Sequence, residues 1–116
     1  MNKKAVIVGG SNGIGLAIAK NLIEKNYYVY ILDICKPDRN ILKGSETYKY
    51  CYCNLLDFNE DIFLSLKEDK NISSLMLTAG FGRVADFEYL HTAEIQNLLT
   101  VNTVSIIKLY DYFMIE

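Results

Sequence analysis

Residues 8–15 read Val-Gly-Gly-Ser-Asn-Gly-Ile-Gly, four glycines in eight positions, between the apolar run Ala5-Val6-Ile7-Val8 and a stretch with helical periodicity. A strand that passes through bare backbone straight into a helix leaves few options for what lies between. Gly9, Gly13 and Gly15 stand at G-x-x-x-G-x-G spacing. Glycine permits the tight turn, lets backbone come close to a pyrophosphate and lets the helix sit near the sheet, so that the free N–H groups of the helix N-terminus face an anion. The competing glycine motif, the phosphate loop of NTPases, needs Gly-Lys-Ser/Thr, and Gly15 is followed by Leu16.

The rest of the chain continues the alternation. Ile14, Ala17, Ile18 and Leu22 share one face of a helix over residues 14–25 that Asn26 can close. Tyr28–Ile34 is β-branched and aromatic, a second strand. Pro37 stands in a polar loop that runs through Asn40 into a short helical turn around Ile41. Thr47–Cys53 predicts a third strand. Asp57 with Glu60 resembles a capping box before a helix whose face carries Phe58, Ile62 and Leu66. Ser73–Thr78 predicts a fourth strand, ending in Ala79-Gly80. From Thr92 one long helix is expected, with Ile95, Leu98, Leu99, Ile106, Leu109, Tyr110 and Phe113 on a single stripe. Strands alternating with helices imply parallel pairing through right-handed crossovers, hence an α/β sheet covered on both faces.

Composition narrows the partners. The 116 residues carry a formal net charge of −2, which supplies no basic field for nucleic acid or an anionic membrane. No run approaches the roughly 18 apolar residues of a membrane span, and the segment after Lys3-Lys4 is too short for a signal peptide, so a cytoplasmic protein is expected. Cys35, Cys51 and Cys53 are then thiols, the last two on one face of a strand as small buried hydrophobes. No metal site is expected, since the single histidine, His91, is far along the chain.

Asp33 falls at the end of the second strand, 18 residues after Gly15, where a carboxylate can accept hydrogen bonds from both hydroxyls of a ribose. The alternative is a solvated strand-end acid. An acid there also repels a 2′-phosphate, so NAD is preferred over NADP, although Lys36 and Arg39 nearby keep the second nucleotide open.

With Val8-Gly9-x-x-x-Gly13-Ile14-Gly15, the chain resembles the N-terminal, cofactor-binding half of a short-chain dehydrogenase/reductase, whose first motif is T-G-x-x-x-G-I-G. Val8 replaces the threonine, which removes one side-chain hydrogen bond. The resemblance implies an oxidoreductase with a doubly wound, Rossmann-like parallel sheet, here about four strands in the order 3-2-1-4. It implies cofactor contacts at Gly9, Ser11, Asn12, Gly13, Ile14 and Gly15, and Asn12 in place of a basic residue again favours NAD. Cys53-Asn54-Leu55 is similar to the family's acid-plus-aliphatic pair bordering the adenine, with Asn54 for aspartate. Leu77-Thr78-Ala79-Gly80 is similar to the N-N-A-G motif, with only Ala79 and Gly80 kept.

Asn102 corresponds to the asparagine in the family's long helix, where it kinks the helix and helps hold a water near the catalytic lysine. Read from the residues alone, it sits in an apolar stripe, where an unpaired amide would cost about 1–3 kcal/mol, so a polar partner is expected. A core asparagine bonded to a neighbouring carbonyl is the other reading.

The family's chemistry is hydride transfer between a nicotinamide and an alcohol or carbonyl carbon, assisted by a tyrosine, a lysine four residues later and a serine. None of the nine tyrosines here begins Tyr-x-x-x-Lys. The expectation is therefore a single NAD(P)-binding domain, residues 1–116, that stops short of the catalytic segment and is inactive alone. Its fourth strand and long helix should leave apolar surface that calls for a homo-oligomer or a complementing C-terminal segment. A stand-alone dinucleotide-binding module and an interaction protein built on the long helix are the alternatives.

Overall fold

The period-two direction of side chains along the first two strands sorts the molecule into layers. In the computed structural model, which describes residues 3–42, 47–57, 60–69, 71–79 and 92–114, β1 (Lys4–Val8) and β2 (Tyr28–Asp33) pair in parallel, with Val6 opposite Tyr30 and Ile7 opposite Ile31. Successive side chains point to opposite faces. Ile7, Val29 and Ile31 therefore pack against α1 (Gly13–Glu24) and the short α2 (Arg39–Leu42), while Val6, Val8 and Leu32 pack against α3 (Glu60–Lys67) and α5 (Ser105–Met114). β3 (Tyr48–Tyr52) and β4 (Ile72–Leu77) complete a four-stranded parallel sheet in the order β3-β2-β1-β4. This is the doubly wound arrangement expected from the alternation of elements. The strands in the middle of the sheet are buried on both faces, which explains why β1 reads as a continuous apolar run instead of alternating.

The face that α1 buries differs from the one periodicity pointed to. Ile14 is 76% exposed and Ala17 is exposed, whereas Gly15 and Ala19 are buried and Leu16, Ile18, Leu22 and Ile23 are partly buried around them. The helix turns its small residues to the sheet because close approach of backbone, not bulk, is what the glycine loop requires.

The long helix is also interrupted. α4 (Thr92–Leu99) and α5 are joined by a π-helical turn at Thr100–Val104. Here the Ser105 N–H bonds the Thr100 carbonyl five residues back, and the Ser105 Oγ donates to the Val101 carbonyl at 2.7 Å. The β-branched Thr100, Val101, Thr103 and Val104 are weak helix formers, and the buried Ser105 hydroxyl satisfies a carbonyl that the wider turn releases. One extra residue in the turn rotates α5 relative to α4. Leu109 is fully buried, but Leu99 and Tyr110 are exposed, so the predicted single stripe does not persist; the side chains of Leu98 and Phe113 lie outside the described residues. Asn102 is exposed within this turn and not buried in an apolar stripe.

Among the described residues no helix is long and apolar enough to cross a membrane, and no cluster of three or more His, Cys, Asp or Glu side chains is placed to hold a metal. Cys53 is buried, Cys51 partly buried and Cys35 exposed, all three as thiols.

Candidate functional site

At the C-terminal end of the strands, β1 leads into the glycine loop and the loop into α1. Gly9 adopts φ +88°, and a Cβ there would lie 2.6 Å from the Ala79 nitrogen. A Cβ on Gly15 would collide with the Gly9 carbonyl oxygen. Both positions exclude a side chain, for conformation and space at Gly9 and for space at Gly15. Gly13, at φ +55°, faces open space. The Gly9 N–H donates to the Leu32 carbonyl at 2.8 Å, which fastens the loop to β2. Asn12 precedes α1 with extended backbone, and its carbonyl accepts the Leu16 N–H as the first intrahelical bond; its side chain makes no cap, so the first N–H groups of the helix have no capping oxygen from it.

Asp33 stands beside this loop at the end of β2. Its Oδ2 accepts the Ser11 N–H at 3.1 Å and its Oδ1 accepts the Ile34 N–H at 2.7 Å. Ser11 is buried, and its hydroxyl donates to the Cys35 carbonyl. The Asp33 carbonyl is fixed in turn by the Cys53 N–H at 3.0 Å and the Tyr50 hydroxyl at 2.9 Å. Loop, β2 end and β3 thus form one hydrogen-bonded unit that orients the carboxylate. A carboxylate has about four acceptor positions, so two backbone donors leave capacity for a ligand's hydroxyls.

The space between these elements is a cavity of about 360 Å³. Its floor is the end of the sheet, with Val8, Leu32 and Cys53. Gly9 and Asn12 supply one wall, and Asp33, Ile34 and Cys35 the rim of a second. Asn54, Leu55 and Leu56 after β3, Thr78 and Ala79 after β4, and Val101 of the π turn complete the lining. Among the described residues lining it, Asp33 alone is charged. Burial, reinforced by the charge of Asp33 and then by Cys51, pushes the Cys53 thiol up to about 11, so it is a neutral part of the floor and no nucleophile. Burial likewise raises Tyr50, with Asp33 adding to it, and keeps the phenol protonated as a donor.

Of the residues singled out from sequence, Gly9, Asn12, Asp33, Asn54, Leu55 and Ala79 line this cavity. Ser11 and Gly15 act from behind it, one as a strut to β2 and the other as the close contact under the loop. Asn54 is committed to an Asx turn, its Oδ1 accepting the Leu56 N–H at 2.9 Å, and this turn carries Leu55 to the wall. Ile14 points away from the core and Asn102 lies in the exposed π turn next to Val101. Gly80, Phe58 and the capping contact expected of Glu60 lie outside the described residues. Sequence reasoning missed Thr78, Val101 and Tyr50. A hydroxyl closing an apolar strand just before Ala79 was a readable signal for the first, whereas the other two depend on which elements meet.

Residues 3–115 of this chain, which fold into the 3-2-1-4 sheet with its glycine junction, match the family model of short chain dehydrogenases. The chain belongs to that family. Short chain dehydrogenase helC of Aspergillus fumigatus is 32% identical over 108 residues, 84% of this chain and 42% of that protein. Two solved structures share the fold. A short chain dehydrogenase from Leptospira borgpetersenii with bound NAD+ gives a TM-score of 0.85 at 24% identity, covering 97% of this chain and 45% of that one. A short-chain dehydrogenase from Sphingobium yanoikuyae in complex with NADPH gives 0.81 at 20% identity, covering 96% and 46%. This chain therefore spans less than half the length of these relatives.

Proposed function

We propose that this chain is the dinucleotide-binding part of an NAD-dependent oxidoreductase that interconverts an alcohol and a carbonyl compound. The observation that carries this reading is the glycine loop packed without side chains at Gly9 and Gly15, opening onto a cavity whose rim holds the Asp33 carboxylate. The residues present fit a dinucleotide. The loop and the start of α1 would take the pyrophosphate on backbone N–H groups, Asp33 would take the ribose hydroxyls, and Leu55, Ala79 and Val101 would border the adenine. The bound nicotinamide would supply hydride chemistry. What the chain itself contributes is binding and orientation.

NAD is favoured over NADP because a 2′-phosphate would meet the Asp33 carboxylate in a cavity wall that holds no other described charge. Lys36 and Arg39 are exposed and do not line the cavity. Titration calorimetry of the 116-residue chain is expected to give NAD+ and NADH dissociation constants below about 1 mM, with NADP+ at least about tenfold weaker. Absence of heat with all three overturns the cofactor assignment. With no Tyr-x-x-x-Lys in the sequence, NADH oxidation by carbonyl compounds is expected to be undetectable with this chain alone.

A further inference from the structure

Val8 lacks the hydroxyl that the family motif places at the end of β1, yet the loop it precedes is tightly fixed. The hydroxyl comes from across the strand pair. Thr78, directly after β4, uses its backbone N–H to bond the Val8 carbonyl at 2.9 Å, and its Oγ1 lies 2.9 Å from that same oxygen and 3.1 Å from the Gly9 carbonyl oxygen. A hydroxyl has a single proton, so these two carbonyls share one donor. The Gly9 oxygen is also the atom nearest to where a Gly15 Cβ would be, and Thr78 Oγ1 is the next at 2.6 Å. One hydroxyl thus sits where the end of β1, the first turn of α1 and the end of β4 converge.

We propose that Thr78 is a positioning residue for the glycine loop. Its hydroxyl holds the Gly9 carbonyl turned back against Gly15 and away from the cavity, so that the loop offers its N–H groups, and not a carbonyl dipole, to an anion. This rests on the dinucleotide reading for what the loop holds but not for how the loop is held. Valine has the same shape and no donor. In Thr78→Val the Gly9 carbonyl loses its hydroxyl partner in a contact too close for water to replace it. Serine keeps the donor and loses only the methyl group.

The test pairs NADH titration with amide hydrogen exchange on the full chain, using Thr78→Val and Thr78→Ser. Thr78→Val is expected to weaken NADH binding about tenfold and to speed exchange at Gly9 and Leu16 by a similar factor, with Lys25 at the far end of α1 unchanged. Thr78→Ser is expected to stay within about twofold of the parent in both. If Thr78→Val binds and exchanges like the parent, the proposal is wrong and the cofactor reading stands. Loss in Thr78→Ser equal to that in Thr78→Val also overturns it, by assigning the effect to methyl packing. If the parent itself binds neither NADH nor NADPH, the cofactor reading falls, and the exchange rates at Gly9 and Leu16 decide the role of Thr78 on their own.

Discussion

The two ends of the sheet each carry an aspartate, Asp33 closing β2 and Asp69 just before β4, and they use it in opposite ways. At the N-terminal end, Asp69 Oδ2 meets the Lys4 ammonium at 2.8 Å and the Tyr30 hydroxyl at 3.2 Å, while its Oδ1 accepts the Asn71 N–H at 3.0 Å. The same ammonium lies 5.7 Å and 5.9 Å from the ring centroids of Tyr28 and Tyr30. Lys4 holds the Asp69 carboxyl below the usual carboxylate range, and Asp69 in turn raises Lys4. At the C-terminal end, Asp33 takes two backbone N–H groups and faces a cavity. A carboxylate neutralised by an ammonium and a phenol closes a structural joint. A carboxylate held in place by backbone alone keeps its charge and spare lone pairs available to something that arrives from solution.

Substitutions in the loop should break this contrast most severely. Gly15→Ala is expected to destabilise the fold by about 1–3 kcal/mol through overpacking and to weaken NADH binding by about 100-fold or more, measured by thermal unfolding and calorimetry. Gly13→Ala is the internal control, since its Cβ meets nothing and only the left-handed φ costs about 1–2 kcal/mol. Next comes Asp33→Ala, which removes charged hydrogen bonds worth about 1.5–3 kcal/mol to a ligand and should weaken NAD+ about ten- to a hundredfold while narrowing the margin over NADP+. Equal NAD+ affinity in Asp33→Ala would mean that both ends of the sheet are merely structural.

A smaller effect concerns the cavity floor. The folded Cys53 thiol titrates near 11 against 9.0 unfolded, so its contribution is fully present below about pH 9 and declines as pH rises through the folded value. Between about pH 9 and 11 stability should fall by up to about 1.4 kcal/mol per pH unit, and Cys53→Ala should be less stable at neutral pH but shallower in that window. Smallest is the closed joint. Asp69→Asn should lower the melting temperature modestly at pH 7 and leave NADH affinity unchanged. Because the folded Asp69 pKa is depressed, its contribution is present above the ordinary value of 3.8 and lost as pH falls below it, so parent and variant should converge under acid conditions. An Asp69→Asn effect on NADH binding would show that the two ends are coupled.

The alternation of strands and helices, the glycine loop and Asp33 were legible in the residues because each depends on local chemistry, whereas the strand order came with the resemblance to the family. A strand of apolar residues, glycines at fixed spacing and an acid at a strand end carry the same meaning wherever the chain places them. The face of α1, the course of the last helix and the surroundings of Asn102 were not. Ile14 and Ala17 match a helical period as well as Gly15 and Ala19 do, and only the closeness of α1 to β1 and β4 selects the smaller pair. The Thr100–Val104 turn depends on a buried Ser105 hydroxyl that reaches back one turn, and periodicity does not register an extra residue.

The sequence by itself therefore determined the alternation of strands and helices and where backbone is left bare. Tertiary structure decided which hydroxyl fastens the loop. Thr78 and Val8 are 70 residues apart, and only the parallel pairing of β1 with β4 brings a donor on one to a carbonyl on the other. Hydrogen bonds act over about 3 Å, so such partners exist only once the sheet has formed.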